Sequence, residues 1–308
     1  MILDILIPTF NRGEDLIYNL NLLGTYISSI DQDNKIQIII SDNCSSDNTQ
    51  ALVKTFIEGH KTINIQYYRN SENIGLEKNA VEVLGKSTSD FIMWLGDDDY
   101  LPKGYLNFVF EQINSGEIGY ILPRNSNILD KKEFKTSDIK QPVFELKEAG
   151  YNTMFDIGHF SHQMSGIVLK RTSLLENYLM KEDWRNVYLF MFFTNYCLLH
   201  YNGIFVEDYK VAITQGNVKA WSYDKAGLLP EVYKSYYYFL KDIGEEKVSN
   251  LIFEFTRRHT WRFGIEVVKP LNAYKRLEFL LSQILEISNI KSRLRSLFIK
   301  DFIYRIIR

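Results

Sequence analysis

Residues Phe91 to Leu101 read FIMWLGDDDYL, an apolar run that passes directly into Asp97, Asp98 and Asp99. The five apolar residues from Phe91 to Leu95 suit a strand buried on both faces. Adjacent carboxylates placed straight after such a strand repel one another unless positive charge sits among them. A hard divalent cation such as Mg²⁺ relieves that repulsion, takes carboxylate oxygens and keeps positions open for phosphate. In an open α/β sheet, ligands gather just beyond the carboxyl ends of the strands, where this turn falls. A solvated acidic turn ahead of Pro102 is the plainer alternative, and the rest of the N-terminal half decides between them.

Upstream, the chain repeats one arrangement. Ile2 to Pro8 is a short apolar run followed by the polar turn Thr9 to Arg12. Leu16, Leu20, Leu23 and Ile27 then recur at helical spacing. Ile36 to Ile40 is a second buried run, ending in Ser41, Asp42 and Asn43, and Asp47 with Gln50 reads as a capping box for the next helix. Ile63, Ile65 and Tyr67 alternate as a third strand, after which Leu76, Ala80 and Leu84 mark a helix leading into Phe91. Strands alternating with helices of this length imply βαβ units, a mostly parallel sheet and polar turns collected along one edge. The chain has no GxGxxG after the first strand and no GxxxxGKS, which disfavours a dinucleotide dehydrogenase or a P-loop NTPase.

Composition fits a globular α/β protein, with 45% hydrophobic and 24% charged residues in 308. The net charge of −2 argues against a nucleic-acid partner. Cys44 and Cys197 form neither a disulfide framework nor a metal cluster, so a reducing compartment is expected. The N-terminal ILDILIPTF followed by NRGED reads as neither a signal peptide nor a spanning segment, and a cytoplasmic location is expected.

The second half carries weaker patterns. Ile118 to Pro123 and Ser165 to Lys170 read as strands, residues 124–150 as a loop, and Gly203 to Gly216 as a pair of strands. Thr172 is expected to cap a short helix, and Glu182 or Asp183 to precede a long one from Trp184. From Tyr223 the chain reads as helical, interrupted at Gly244, Gly264 and Pro270.

The motifs ILIPTFNR, IIISDNCSSDNT, YYRNSENIGLEKN and FIMWLGDDDYL resemble, in order and spacing, those of the inverting glycosyltransferases of family 2. The likeness covers about the first 125 residues. It looks strongest toward transferases acting on bacterial surface polysaccharides, the abequosyltransferase-like group among them. The resemblance implies a GT-A fold, a Rossmann-like and mostly parallel sheet flanked by helices, followed here by a helical C-terminal region. Residues 1–222 are then the glycosyltransferase domain, with 1–125 as its nucleotide-binding half and 126–222 as its acceptor half. Residues 223–308 are the helical region.

Carried over residue by residue, the resemblance gives Pro8, Thr9 and Arg12 to the nucleotide base and ribose. Asp42 matches the acid that reads the base edge, with Asn43 and Ser45 completing its turn. Asn73, Gly75, Lys78 and Asn79 match the stretch beneath the nucleotide. The common Leu-Asp-Ala-Asp-Asp pattern puts its first Asp on Gly96. Asp97 therefore falls near ribose or phosphate, Asp98 on a divalent Mn or Mg ion, and Asp99 beside it. The inverting reaction needs a carboxylate base for the acceptor hydroxyl. KEDWRNVYLFMFF supplies Asp183 as first choice and Glu182 as second, and Asp156 is an outsider; Asp183 as a plain helix N-cap is the alternative. His159 and His162 are possible phosphate or metal contacts, although packed or exposed histidines are the simpler reading. Arg257, Arg258 and His259 read as a solvated helix face.

The implied donor is a nucleotide-sugar and the implied acceptor a glycan or lipid-linked glycan. Residues 270–308 hold eight Lys or Arg against three acids, interleaved with Leu, Phe and Ile. Leu294, Leu297, Phe298, Phe302 and Ile306 lie near one face at helical spacing. Such a helix suits an anionic membrane at the inner face of the plasma membrane. Packing on the catalytic domain, or on a second subunit in a homo-oligomer, is the alternative. A non-enzymatic reading also stands at this point: an inactive GT-A scaffold that docks a partner transferase, with Gly96 as its motive.

Overall fold

The computed structural model describes residues 2–30, 35–137, 139–216, 228–263 and 270–307. Four βα repeats open the chain: β1 (Leu3–Thr9), α1 (Gly13–Ile30), β2 (Ile36–Asp42), α2 (Thr49–Gly59), β3 (Ile65–Arg69), α3 (Leu76–Lys86), β4 (Phe91–Trp94) and α4 (Tyr105–Asn114). Then follow β5 (Tyr120–Ile128), β6 (Phe144–Lys147), α5 (Tyr151–Ile157), β7 (Val168–Lys170), α6 (Leu174–Leu179), α7 (Leu189–His200) and β8 (Gly203–Thr214). The C-terminal helices are α8 (Leu229–Tyr237), α9 (Leu240–Ile243), α10 (Glu245–Arg258), α11 (Pro270–Ser282) and α12 (Ile290–Ile307).

The eight strands form one sheet in the order β3-β2-β1-β4-β7-β5-β8-β6. Strands β1 to β4 are mutually parallel, β7 runs antiparallel between β4 and β5, and β6 closes the edge antiparallel to β8. The expected α/β architecture of GT-A type is therefore present. Alternation along β1 divides the core, because successive strand residues face opposite sides. Leu3, Ile5 and Ile7 join α1, α2 and α4 on one face; Leu6, with Ile39 and Trp94, joins α3, α7 and the C-terminal helices on the other.

Several local expectations meet a different structure. Residues 124–150 are not one loop: β5 continues to Ile128, and the largely exposed β6 adds an edge strand. The stretch expected to be two strands holds the single strand β8 (Gly203–Thr214), whose register with β5 shifts after Pro123 instead of turning back. Ser173, not Thr172, precedes α6, and α2 starts after Asn48 with no side-chain cap. Asp47 instead accepts from the Thr49 amide and hydroxyl just ahead of that helix. Gly244 does separate α9 from α10, with a φ of 82° that suits glycine. Pro270 is the first residue of α11, a position that suits its fixed φ. Gly264, Ile306 as a side chain, and Tyr223 lie outside the described residues.

The basic tail uses its apolar face internally. Ile290, Leu294 and Phe298 of α12 are buried in the same cluster as Trp94 and Phe255, with Leu297 and Phe302 packed against it. Each fully buried Leu or Phe of this kind contributes about 1.5–3 kcal/mol. That is the face which the sequence suggested for a membrane. Arg293 likewise turns inward, donating to Ser249 Oγ and Asn250 Oδ1, and Arg295 pairs with Glu278 of α11. Among the described residues no helix is long and apolar enough to cross a membrane.

Candidate active site at the carboxyl edge of the sheet

Parallel pairing brings Thr9, Asp42 and Arg69, the last residues of β1, β2 and β3, into one row. The turn Gly96–Asp99 follows β4 beside them. Its shape is held from four directions. Asn19 of α1, a buried amide, donates to the carbonyls of Gly96 and Asp99 at 3.0 and 2.8 Å. Ser165, just before β7, accepts from the Gly96 amide at 2.9 Å and donates to Asp99 Oδ2. Thr214 at the end of β8 gives its amide to Asp99 Oδ1 at 2.9 Å and its hydroxyl to the Asp98 carbonyl. Thr9 donates to Asp97 Oδ2 at 2.7 Å.

The three carboxylates thus have different surroundings. Asp97 is raised well above the ordinary carboxylate range, first by burial and then by the charge of Asp98. Asp98 faces Arg12, whose Nη1 lies 3.0 Å from its Oδ2. Arg12 also lies 3.8 Å from Asp15, which accepts from Lys131 Nζ at 3.0 Å. Asp99, expected beside Asp98 on a metal, turns inward and is buried, with an oxygen committed to each of Ser165 and Thr214. Gly96 permits this, since a Cβ there would stand 2.7 Å from Asp99 Oδ2. The departure from the common motif at residue 96 therefore has a steric reason.

The second turn is a polar lattice. Asp42 is fully buried; it accepts from the Ser45 amide at 2.8 Å and from the Tyr67 hydroxyl, and Arg69 Nε stands 3.7 Å away. Burial and that bond to Asp42 push the Tyr67 phenol up. Asn43 accepts from the Ile74 amide and donates to Asn73, which in turn accepts from the Gly75 amide. Asn79, buried on α3, accepts from Ser41 Oγ and Asn70 and donates to the Ser41 carbonyl. These asparagines brace the loops, one against another. Gly75 caps α3 with a φ of 85°, and Lys78 on the first turn of α3 is exposed. Pro8 is half-buried in β1 opposite Ser41, and Ser45 Oγ accepts from the Asn11 amide at 2.8 Å.

Glu182 and Asp183 lie in a short 3-10 turn, exposed, and their side chains make no hydrogen bond or ion pair among the described residues. Asp183 is not the cap of a helix, because α7 begins only at Leu189 after Tyr188. Arg185 ties this turn to the carboxyl edge of the sheet: its Nε and Nη2 reach Glu77, at the start of α3, at 2.8 and 3.0 Å. Trp184 packs edge-on against Tyr238. Asp156 is salt-bridged to Lys147, which pairs with Gly203 at the amino end of β8, away from this edge.

His159, His162 and His259 do not reach the site. They pack together under the C-terminal helices, with His162 4.6 Å from His259 and His259 stacked on Phe255 at 4.2 Å. His259, expected on a solvated face, is buried; Arg257 is exposed as expected, and Arg257 and Arg258 both pair with Glu254.

Among the described residues, no group of three His, Cys, Asp or Glu converges as a self-sufficient metal cage. The donor set at Asp97 and Asp98 does fit a cation of a different kind. Hard cations such as Mg²⁺ commonly use one or two carboxylates and leave the remaining positions to substrate phosphates. Asp97 and Asp98 are adjacent carboxylates, and their mutual repulsion is what such a cation would relieve.

Over 221 residues the chain is 27% identical to abequosyltransferase RfbV of Salmonella typhimurium, covering 65% of this chain and 64% of that protein. It is 28% identical over 197 residues to the GalNAc(5)-diNAcBac-PP-undecaprenol beta-1,3-glucosyltransferase of Campylobacter jejuni, covering 60% and 59%. The matches thus span about three-fifths of these relatives' lengths. In fold, the chain superposes on S. aureus TarS 1–349 in complex with UDP-GlcNAc with a TM-score of 0.67 at 15% identity, over 98% of this chain and 89% of that one. A TM-score of 0.53 at 13% identity relates it to the mannosyltransferase PcManGT from Pyrobaculum calidifontis in complex with GDP-Man and Mn2+, over 96% and 78%. The profile of Glycosyl transferase family 2 matches residues 4–170, more than half of the sequence, and the chain belongs to that family.

Proposed function

We propose that this chain is an inverting glycosyltransferase that moves a sugar from a nucleoside-diphosphate donor to a growing bacterial surface glycan carried on a lipid. The observation that carries the reading is the braced carboxylate turn at Asp97 and Asp98, set beside the row Thr9, Asp42 and Arg69. In this reading the base and ribose lie over the second turn and Gly75, and the diphosphate points toward Asp97 and Asp98. A divalent cation held by Asp98, with Asp97, would neutralise charge developing on the leaving diphosphate. Asp99 serves as a brace. Arg12 orients Asp98, with its Nη1 3.0 Å from Asp98 Oδ2.

Asp183 is the base, with Glu182 as its neighbour in the same exposed turn. It takes the proton of the acceptor hydroxyl as that oxygen attacks the anomeric carbon from the face opposite the diphosphate. The new C–O bond forms as the bond to the diphosphate breaks, and the configuration inverts. Residues 1–125 carry the donor and 126–222 the acceptor, while the described C-terminal helices α8 to α12 buttress the sheet. Since the tail's apolar face is packed inward, membrane contact falls to exposed Tyr274, Phe279, Ile299 and Ile303 with the nearby lysines. The reading is tested by a thermal-shift screen of nucleotide-sugars with and without Mn²⁺, followed by turnover of any stabilising donor. Stabilisation by one nucleotide-sugar, enhanced by Mn²⁺ and followed by transfer, supports it; a screen in which no nucleotide-sugar stabilises or turns over removes it and favours the inactive scaffold.

A further inference from the structure

Away from the donor edge, α5, α10 and α12 enclose a groove of about 530 Å³, within the range of about 300–1,000 Å³ common for small-molecule sites. Its floor is aromatic: Tyr151 and Phe155 from α5 and Phe253 from α10. Phe155 is more than a third exposed although α5 packs on α10, so its ring is turned into the groove and not into the core. Arg293 arrives from α12 and is fixed. Its Nη1 donates to Ser249 Oγ at 3.0 Å and Asn250 Oδ1 at 2.9 Å, while its guanidinium lies 4.4 Å from the Phe253 ring centre. Next to Phe253 on α10, Glu254 is gripped by Arg257 at 2.7 and 2.8 Å and by Arg258 at 2.6 Å. Asn152 adds an exposed amide at the rim.

Flat rings beside pre-positioned amide, guanidinium and carboxylate groups suit a ligand with an apolar face and a fringe of hydroxyls. Two arginines face one carboxylate in the groove, but Arg257 is engaged with Glu254 and Arg293 with Ser249 and Asn250, so neither is presented as a free fork for phosphate, and an uncharged polyol is favoured. We propose that this groove binds a neutral oligosaccharide, an already built segment of the acceptor glycan, at a distance from the reacting end. This rests on the glycosyl-transfer reading for its biological ligand. The wall of the groove is continuous with the catalytic turn: the segment from Tyr151 runs through the 3-10 turn Gly158–His162 to Ser165, which holds Gly96 and Asp99. A glycan held at one end of that segment is retained while its tip is extended at the other.

The test is saturation-transfer NMR of the full chain with maltotetraose, cellotetraose and N-acetylchitotetraose, which needs no donor. At least one is expected to bind with a Kd on the order of 1 mM. Phe155→Ala and Asn152→Ala, both at exposed positions, are each expected to weaken binding about tenfold (about 1.4 kcal/mol in binding) with an unchanged melting temperature. Absence of binding by all three sugars overturns the proposal. So does binding that neither substitution alters, which would put the sugar at the donor edge, or displacement of the sugar by inorganic phosphate. Donor turnover is measured separately; if wild type lacks turnover while Phe155→Ala still abolishes sugar binding, the glycosyl-transfer reading fails and the groove stands.

Discussion

Two arginines in this molecule sit beside titratable groups and do opposite things. At the donor edge Arg12 lies 3.0 Å from Asp98, and its charge is matched by a carboxylate. Under the C-terminal helices Arg258 Nη1 lies 3.2 Å from His159 Nε2, which accepts the hydrogen bond only while the ring is neutral. Charge is collected in the first region, whereas in the second protonation of the histidines is opposed. The paired charges of the first region are what the proposed reading asks of a site for a cation and a diphosphate. The histidine seam has the character of packing, despite carrying residue types that suggested phosphate or metal contact in the sequence.

The largest expected effect tests whether the acidic turn at 182–184 belongs functionally to the donor edge. Asp183→Asn should lower kcat by about two to four orders of magnitude with donor affinity nearly unchanged. Because Asp183 is exposed and caps no helix, the melting temperature should not move; a large loss of stability with kcat preserved would detach this turn from the chemistry. Next, Asp98→Ala should cost about 10²–10³-fold in turnover and abolish any Mn²⁺-dependent stabilisation by the donor. Turnover at the wild-type level in chelator would remove the metal role and with it the reason for collecting charge there. A smaller effect is expected at the brace. Asn19→Ala leaves two buried carbonyls, those of Gly96 and Asp99, without their amide, at about 1–3 kcal/mol. Denaturant unfolding measures it, and a change below about 0.5 kcal/mol, within the ordinary range of surface substitutions, would mean that the turn holds its shape without α1.

Legibility in the sequence followed distance along the chain. Strands β1 to β4 and their turns were readable because each apolar run ends in polar residues within a few positions. The braces were not: Ser165 acts on Asp99 from 66 residues away and Thr214 from 115. Asn19 had a local signal, a polar residue inside the stripe Leu16, Leu20 and Leu23, and Lys131 beside Asp15 had none. β6 escaped because an exposed edge strand has no buried face to pattern it. The start of α7 was misplaced for the opposite reason. Its residues are buried on nearly all sides, so the apolar run has no period from which to read a boundary.

The last prediction concerns the histidine seam and probes stability alone. Burial first, then Arg258 and His259, hold His159 down to about 3; burial and His259 hold His162 at about 3; burial holds His259 at about 4. The groups facing them are Arg258 and Arg262, which oppose protonation, and Glu254 and Asp156, which favour it at His159. In the unfolded chain each ring takes a proton near pH 6.5. Between pH 6.5 and about 4 the unfolded state therefore binds more protons than the folded one, so stability is full above pH 6.5 and falls as pH drops. A single histidine contributes at most about 1.4 kcal/mol per pH unit, and three set an upper bound of about 4 kcal/mol per unit. Unfolding free energies measured by denaturant at pH 7, 6 and 5 should decline along this course. His162→Gln should flatten the slope by about a third while leaving turnover at neutral pH unchanged, because this seam holds no part of the donor edge. A slope that His162→Gln leaves intact would mean that carboxylates, and not excluded histidine charge, govern the acid side of the stability profile.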